Sequence, residues 1–224
     1  MTTDLKERYA RANRASRKHL VQPWPVASSI GDEARSIIGS GDGIYIVNDK
    51  GERLIDGPAG MWCTNVGHRN HALADAMRDQ ALNLSYNSPW YTSNEPAALL
   101  ARRIAKHAPG DLEHVFFTTG GSTAVDSAIR FVQFYNNVRG RPNKKKLVSR
   151  EGGYHGSTYL AASLNGKLRT RDWMDYQSDL VIKLSSPDPF RRPDGMTVSD
   201  FSAQLVQEFL DAIKREGAEN IAAF

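Results

Sequence analysis

The chain has 224 residues, 40% of them hydrophobic and 24% charged, with 29 Lys and Arg against 25 Asp and Glu for a net charge of +4. That length accommodates one large or two small domains, and the composition is ordinary for a soluble globular protein. No run of roughly 18 apolar residues exists, which excludes a helical membrane span. The single cysteine, Cys63, excludes an internal disulfide and suits a reducing compartment. The segment Met1 to Leu20 carries Asp4 and Glu7 and lacks an apolar core, so it does not read as a secretory signal, and the cytoplasm is the expected location.

From the N-terminus, Thr3 to about Lys18 is helix-forming with few apolar positions, a segment that needs a partner surface. A loop from His19 to Pro25 follows, its prolines forbidding a helix. Gly43 to Val47 and Glu52 to Asp56, joined by Asn48-Asp49-Lys50-Gly51, predict a β-hairpin. His71 to Leu84 has helical spacing. Ser93 or Asn94 ahead of Glu95-Pro96 opens another helix, which runs to about His107 and stops at Pro109-Gly110. Val115 to Thr118 reads as a short buried strand. Ser122 to Val138 reads as a helix with Ala124, Val125, Ala128, Ile129, Val132 and Phe134 inward or nearby. Lys146 to Ser149 is a strand and Thr158 to Leu164 a short helix. Phe201, Leu205, Phe209 and Ile213 mark an amphipathic helix over Asp200 to Arg215, and Ile221 begins a further strand. Strands alternating with helices predict an α/β fold, with a mainly parallel sheet covered on both faces.

Two glycine-rich turns carry the chemistry. In Phe116-Phe117-Thr118-Thr119-Gly120-Gly121-Ser122-Thr123-Ala124 a strand runs into a glycine turn and a helix starts at once. A helix N-terminus presents unpaired N–H groups and partial positive charge, and glycines let an anion approach the backbone, so the turn suits phosphate. A plain capped strand-to-helix turn is the other reading. No Lys follows the glycines, which excludes a Walker loop, and the third glycine of the dinucleotide fingerprint is missing. The second turn, Glu151-Gly152-Gly153-Tyr154-His155-Gly156-Ser157-Thr158, follows the next strand and so emerges at the same carboxyl edge of a parallel sheet. Tyr154 could there stack on a planar ring whose phosphate the first turn holds, or be a half-buried tyrosine in a loop. His155 could touch the same ring or make a structural hydrogen bond. The basic cluster Arg139 to Lys146 reads as a solvated loop rather than a nucleic-acid surface, since no recognition motif lies nearby.

Gly-Gly-Ser-Thr-Ala opening a helix, followed by Gly-Gly-Tyr-His-Gly-Ser-Thr, resembles the class III (ω-type) aminotransferases, pyridoxal 5′-phosphate enzymes of fold type I. The early run from Gly43-Ile44-Tyr45 through Asp56-Gly57-Pro58-Ala59-Gly60-Met61-Trp62-Cys63 to Gly67-His68 agrees in the same order, and the resemblance covers nearly the whole chain. It implies that Gly120, Gly121 and Ser122 hold the cofactor phosphate, that Tyr154 stacks on the pyridine ring with His155 nearby, and that Trp62 and Trp90 wall the substrate pocket. For both tryptophans a place in the core is the alternative. The family's usual turn reads Asn-Ser-Gly-Ser-Glu-Ala where this chain has Thr119-Gly120-Gly121-Ser122-Thr123-Ala124, so one serine hydroxyl and the glutamate are missing.

The resemblance further implies a small-domain part over residues 1–67, with helix, loop and hairpin, and the first portion of the cofactor-binding large domain over 68–224. The expected activity is amino transfer from an amine, ω-amino acid or amino acid to a keto acid or aldehyde. An aminomutase or decarboxylase of the same fold is the nearest rival, and a non-enzymatic phosphate-binding remnant the other. Phe224 ends the sequence inside an apolar strand-like run, so the chain is expected to be cut short. In the resembled family the Schiff-base lysine and the acid that pairs with the pyridinium follow that point. By this reading no catalytic residue lies in the chain, which alone would not transaminate. A homodimer is expected of the parent, with small-molecule substrates and neither metal, membrane nor nucleic acid.

Overall fold

The computed structural model describes residues 2–23, 35–166 and 174–224. Of the proline loop, Trp24 and Pro25 lie outside the described residues. The chain forms two compact units, divided in sequence between Leu99 and Leu100.

The first unit begins with α1 (Thr3–His19). Thr2 Oγ1 accepts from the Leu5 amide, Asp4 lies in the first turn, and Arg17, Lys18 and His19 occupy the last, a distribution that suits the helix dipole at both ends. An antiparallel sheet of order β1-β2-β3 follows, built from β1 (Ile38–Asp42), β2 (Tyr45–Asn48) and β3 (Arg53–Ile55). The expected hairpin is β2 and β3, turned at Gly51 with φ +85°. Strand β1 was not foreseen, because Ile-Gly-Ser-Gly-Asp has no alternation of apolar residues. Its glycines instead permit close approach: a Cβ at Gly39 would stand 1.7 Å from Tyr9 Oη, and one at Gly41 would stand 2.5 Å from the His68 ring. Next comes a single turn, α2 (Ala59–Trp62), then α3 (His71–Asn83), capped by Asn70 Oδ1 accepting from the Leu73 amide at 3.0 Å. In α4 (Glu95–His107) the expected cap is seen, with Asn94 Oδ1 accepting from the Ala97 amide at 2.9 Å.

The second unit contains a parallel sheet of order β5-β4-β6, with β4 (Lys146–Arg150) between β5 (Val181–Leu184) and β6 (Ile221–Ala223). With it go α5 (Gly121–Val138), α6 (Tyr159–Ser163) and α7 (Val198–Glu216), and α4 crosses from the first unit into the second at Leu100. Successive strand side chains point to opposite faces, and both faces of β4 are buried. Val148 joins Ile182, Leu184 and Ala212 on one side, with Phe209 and Ile221 packed against them. Leu147 joins Ile129 and Leu164 on the other, with Val125 and Leu160 alongside. So α7 covers one face while α5 and α6 cover the other, the α/β layering expected of the sequence. Burial of each such Leu, Ile or Val side chain stabilises by about 1.5–3 kcal/mol.

Two expectations need correction. Val115 to Thr118 forms no strand, and Phe116 is 80% exposed. An apolar run becomes a strand only with a ladder partner, and residues 115–118 join neither described sheet. On α5, Ile129 is buried and Val125 packs beneath it, whereas Phe134 points outward, exposed at 63%.

Candidate cofactor site

Strand β4 ends at Arg150 and delivers the second glycine loop directly to the start of α5. The contact is built from small groups. The Ser157 amide donates to Ser122 Oγ at 2.9 Å, and Thr158 Oγ1 donates to the Ser122 carbonyl at 3.3 Å. One turn further along α5, Asp126 Oδ1 accepts from the Ala161 amide at 2.9 Å, capping α6, which has no side-chain cap of its own. Gly156 makes the approach possible. A Cβ there would stand 2.8 Å from both the Cα and Oγ of Ser122, and its φ of +145° is one that L side chains rarely adopt.

At the mouth of the first turn, α5 starts from Gly120 with no side-chain cap. Thr118 Oγ1 and Thr123 Oγ1 both donate to the Gly120 carbonyl, at 3.1 and 2.7 Å, so neither hydroxyl serves the helix N–H groups. The space in front of Gly120 and Gly121 is open to at least 4 Å from where a Cβ would lie. Ser122 Oγ uses a lone pair on Ser157 and keeps its own hydrogen to donate. Open backbone, uncapped N–H groups and one hydroxyl donor together fit a phosphate.

The second loop is fixed from beneath. His155 N–H donates to Asn165 Oδ1 at 2.6 Å, and Asn165 Nδ2 donates to the Gly156 carbonyl at 2.8 Å. Gly166 packs against the loop backbone, where a Cβ would come within 2.4 Å of the Arg150 carbonyl oxygen. Tyr154 Oη lies 2.9 Å from Ser157 Oγ, and the tyrosine is half exposed. Burial pushes the His155 imidazole below the ordinary histidine range, and the positive charge of Lys183 adds to the effect.

Of the predicted cofactor residues, Ser122, Tyr154 and His155 therefore lie on two loops that touch, with Gly120 and Gly121 at the open helix start. Trp62 and Trp90 belong to the other unit. They are 75% and 81% exposed, so neither is packed into a core formed by the described residues. Trp62 ends a turn whose Ala59, Gly60, Met61 and Trp62 all have positive φ, between 47° and 65°. Left-handed backbone at three non-glycine residues is strained, and the turn is braced. Asp56 accepts from the Gly60 amide through Oδ1 at 3.3 Å and contacts His68 Nε2 through Oδ2 at 3.0 Å. The bond to His68, then the one to Gly60, holds the Asp56 carboxyl below the usual range. Among the described residues no group of three or more His, Cys, Asp or Glu is placed to hold a metal, and no helix is long and apolar enough to cross a membrane.

Sequence reading missed Asp126, Ser157 and Asn165 as parts of this site. All three act through tertiary contacts some 10 to 35 positions apart, which no local spacing reveals.

Residues 28–224 match the family model for aminotransferase class III. The putrescine–pyruvate aminotransferase of Pseudomonas aeruginosa is 33% identical over 93% of this chain and 46% of its own length. Among solved structures, a thermostable (S)-enantioselective omega-transaminase from Thermomicrobium roseum superposes with a TM-score of 0.91 at 32% identity, covering 96% of this chain and 48% of that one. The omega transaminase from Pseudomonas jessenii in complex with PMP gives the same TM-score, 0.91, and the same identity, 32%, over 95% and 47% of the two chains. The chain thus spans about half the length of the relatives it matches. On the matched residues and the fold they share, the chain belongs to the class III aminotransferases, a family that works with pyridoxal 5′-phosphate.

Proposed function

We propose that the full-length polypeptide is a pyridoxal 5′-phosphate-dependent aminotransferase. It would move an amino group from an amine or ω-amino acid to a keto acid or aldehyde. The observation that carries this reading is the 2.9 Å bond from the Ser157 amide to Ser122 Oγ, which unites an uncapped helix start and an aromatic loop. The cofactor, when bound, supplies an electron sink for the carbon that loses or gains the amino group. The chain's own residues bind and orient. The N–H groups at Gly121 and Ser122 and the Ser122 hydroxyl would receive the phosphate, and Tyr154 would stack on the ring. His155, neutral, would contact the ring without adding a second positive charge, and by the family resemblance Trp62 and Trp90 would serve the substrate amine. Lacking the extra serine and glutamate of the usual turn, this chain grips the phosphate chiefly through its backbone.

A homodimer is part of the proposal. Phe131, Phe134 and Val138 form one exposed apolar face of α5, from 63% to 70% accessible, and such a stripe asks for a partner surface. A cytoplasmic setting is supported by the lone, unpaired Cys63.

Equilibrium titration of the full-length polypeptide with pyridoxal 5′-phosphate, followed by an amino-transfer assay with a diamine or an ω-amino acid and pyruvate, tests the reading. Saturable binding and product formation are expected. A protein that binds no cofactor, or binds it and releases no amino product, sinks it.

A further inference from the structure

Lys183 lies outside both glycine loops, in the middle of β5, register partner of Ser149 on β4. Its side chain is half-buried rather than solvated, and its Nζ reaches three oxygens of neutral groups. It donates to Ser149 Oγ at 2.8 Å, to the Asn165 carbonyl at 3.0 Å, and to the Leu164 carbonyl. An ammonium group has three hydrogens and can serve each of these acceptors. The residues it joins are among the most enclosed in the protein: Ser149 is 4% exposed, Leu164 8% and Asn165 6%.

The two carbonyls that Lys183 holds belong to the segment just past α6, and that segment carries the loop. Asn165 presents its carbonyl to Lys183 and its side chain to the loop, Oδ1 to the His155 amide and Nδ2 to the Gly156 carbonyl. Gly156 in turn rests against Ser122 at the start of α5. A continuous chain of contacts therefore runs from β5 through Lys183 and Asn165 to the loop bearing Tyr154 and His155, and ends on the phosphate turn. Charge-assisted hydrogen bonds inside a protein are stronger and more directional than neutral ones, which suits a fixed strut.

We propose that Lys183 is a positioning residue of the cofactor site: its ammonium fixes the Leu164–Asn165 segment, and through Asn165 sets where Tyr154 and His155 stand relative to the turn at Ser122. It touches no cofactor itself. The proposal rests on the function proposed above, and its test separates the two.

The experiment compares full-length wild type with Lys183→Met, Lys183→Arg and Asn165→Leu. Pyridoxal 5′-phosphate affinity is measured by equilibrium titration, the circular dichroism of the bound cofactor near the visible edge reports ring orientation, and thermal melting is recorded without cofactor. Lys183→Met keeps the stem and removes the donors. It is expected to weaken cofactor affinity at least tenfold and to change the cofactor's dichroism, with Lys183→Arg restoring much of both. Asn165→Leu should give the same two changes, and adding Lys183→Met to it should do little more, since both act on one strut. If Lys183→Met lowers the melting temperature but leaves affinity and dichroism as in wild type, the role is structural only and the proposal is overturned. Should Lys183→Met fail to fold, Asn165→Leu decides alone: unchanged affinity and dichroism there also overturn it. Wild type that binds no cofactor overturns the functional reading, and this proposal with it.

Discussion

Ser122 accepts a hydrogen bond from the Ser157 amide at 2.9 Å while its carbonyl accepts from Thr158, so one residue at the start of α5 takes two contacts from the loop after β4. Each partner sits near a helix start, of α5 and α6 respectively, and the two starts are thereby locked side by side. An anion and the ring attached to it can then be held at once, by the backbone of one loop and the aromatic of the other.

The lock depends on Gly156. Gly156→Ala places a methyl group 2.8 Å from Ser122 Cα and asks an L residue to hold φ +145°. Strain of this kind costs about 1–3 kcal/mol. Urea denaturation should show a loss of that size, and cofactor affinity should fall along with it because the loops are pushed apart. Unchanged values in both measurements would mean that the two loops are not in contact in solution.

Tyr154 separates stacking from hydrogen bonding. Tyr154→Phe keeps the ring and removes the hydroxyl with its contact to Ser157 Oγ, so cofactor affinity should stay within a few-fold of wild type. Tyr154→Ala removes the ring. Aromatic stacking contributes about 0.5–1.5 kcal/mol, so a loss of roughly twofold to tenfold in affinity is expected from titration. Equal effects of the two substitutions would remove the tyrosine ring from the site.

The sheet core beneath carries the larger single contributions to stability. Leu184 is 2% exposed in the cluster with Val148, Ile182 and Ala212. Leu184→Ala should destabilise by about 2–5 kcal/mol. Leu210→Ala, on the outward side of α7 at 45% exposure, should remain within about 0.5 kcal/mol of wild type. The two midpoints in urea measure the contrast directly.

The inner face of α7 and the start of α4 were legible from the sequence because the physics that places them is local, whereas β5, with Ile182 and Leu184, was not foreseen. The four-residue recurrence of Phe201, Leu205 and Phe209 marks the inner face of α7, and Asn94 ahead of Glu95-Pro96 marks the start of α4. The two glycine loops, each leading into a helix, were legible for the same reason: their glycines and the helix starts lie within a few residues of one another. What escaped is what tertiary contact decides. Strand β1 has glycines where side chains of Tyr9 and His68 press in, and these contacts are invisible in Ile-Gly-Ser-Gly-Asp. Val115 to Thr118 has strand-like residues but no ladder partner. Nothing in Pro-Ala-Gly-Met-Trp announces four left-handed residues in succession, which persist because Asp56 and His68 brace them. Lys183 reads in sequence as one more charged residue between apolar neighbours.

The pH response of the site follows from His155, whose imidazole titrates below the ordinary value of 6.5 because burial, and then Lys183, disfavour its charged form. A depressed value means that the unfolded chain binds this proton more tightly than the folded one. Stability tied to His155 is therefore complete above about pH 6.5 and is lost as the pH falls from there toward the folded value, below which it no longer changes. Acid also places a positive charge in the loop and strains the Asn165 contacts that fix it. Replacing the imidazole by a group that does not titrate, as in His155→Gln, should flatten the dependence of the urea midpoint below about pH 6.5 relative to wild type. Lys183→Met removes the smaller cause only, so the His155 titration followed by NMR should move up toward, without reaching, the ordinary value. A wild-type imidazole that titrates at or above 6.5 would show that the loop is open to solvent, and the ordered packing of His155 over Gly153 and Asn165 would have to be abandoned.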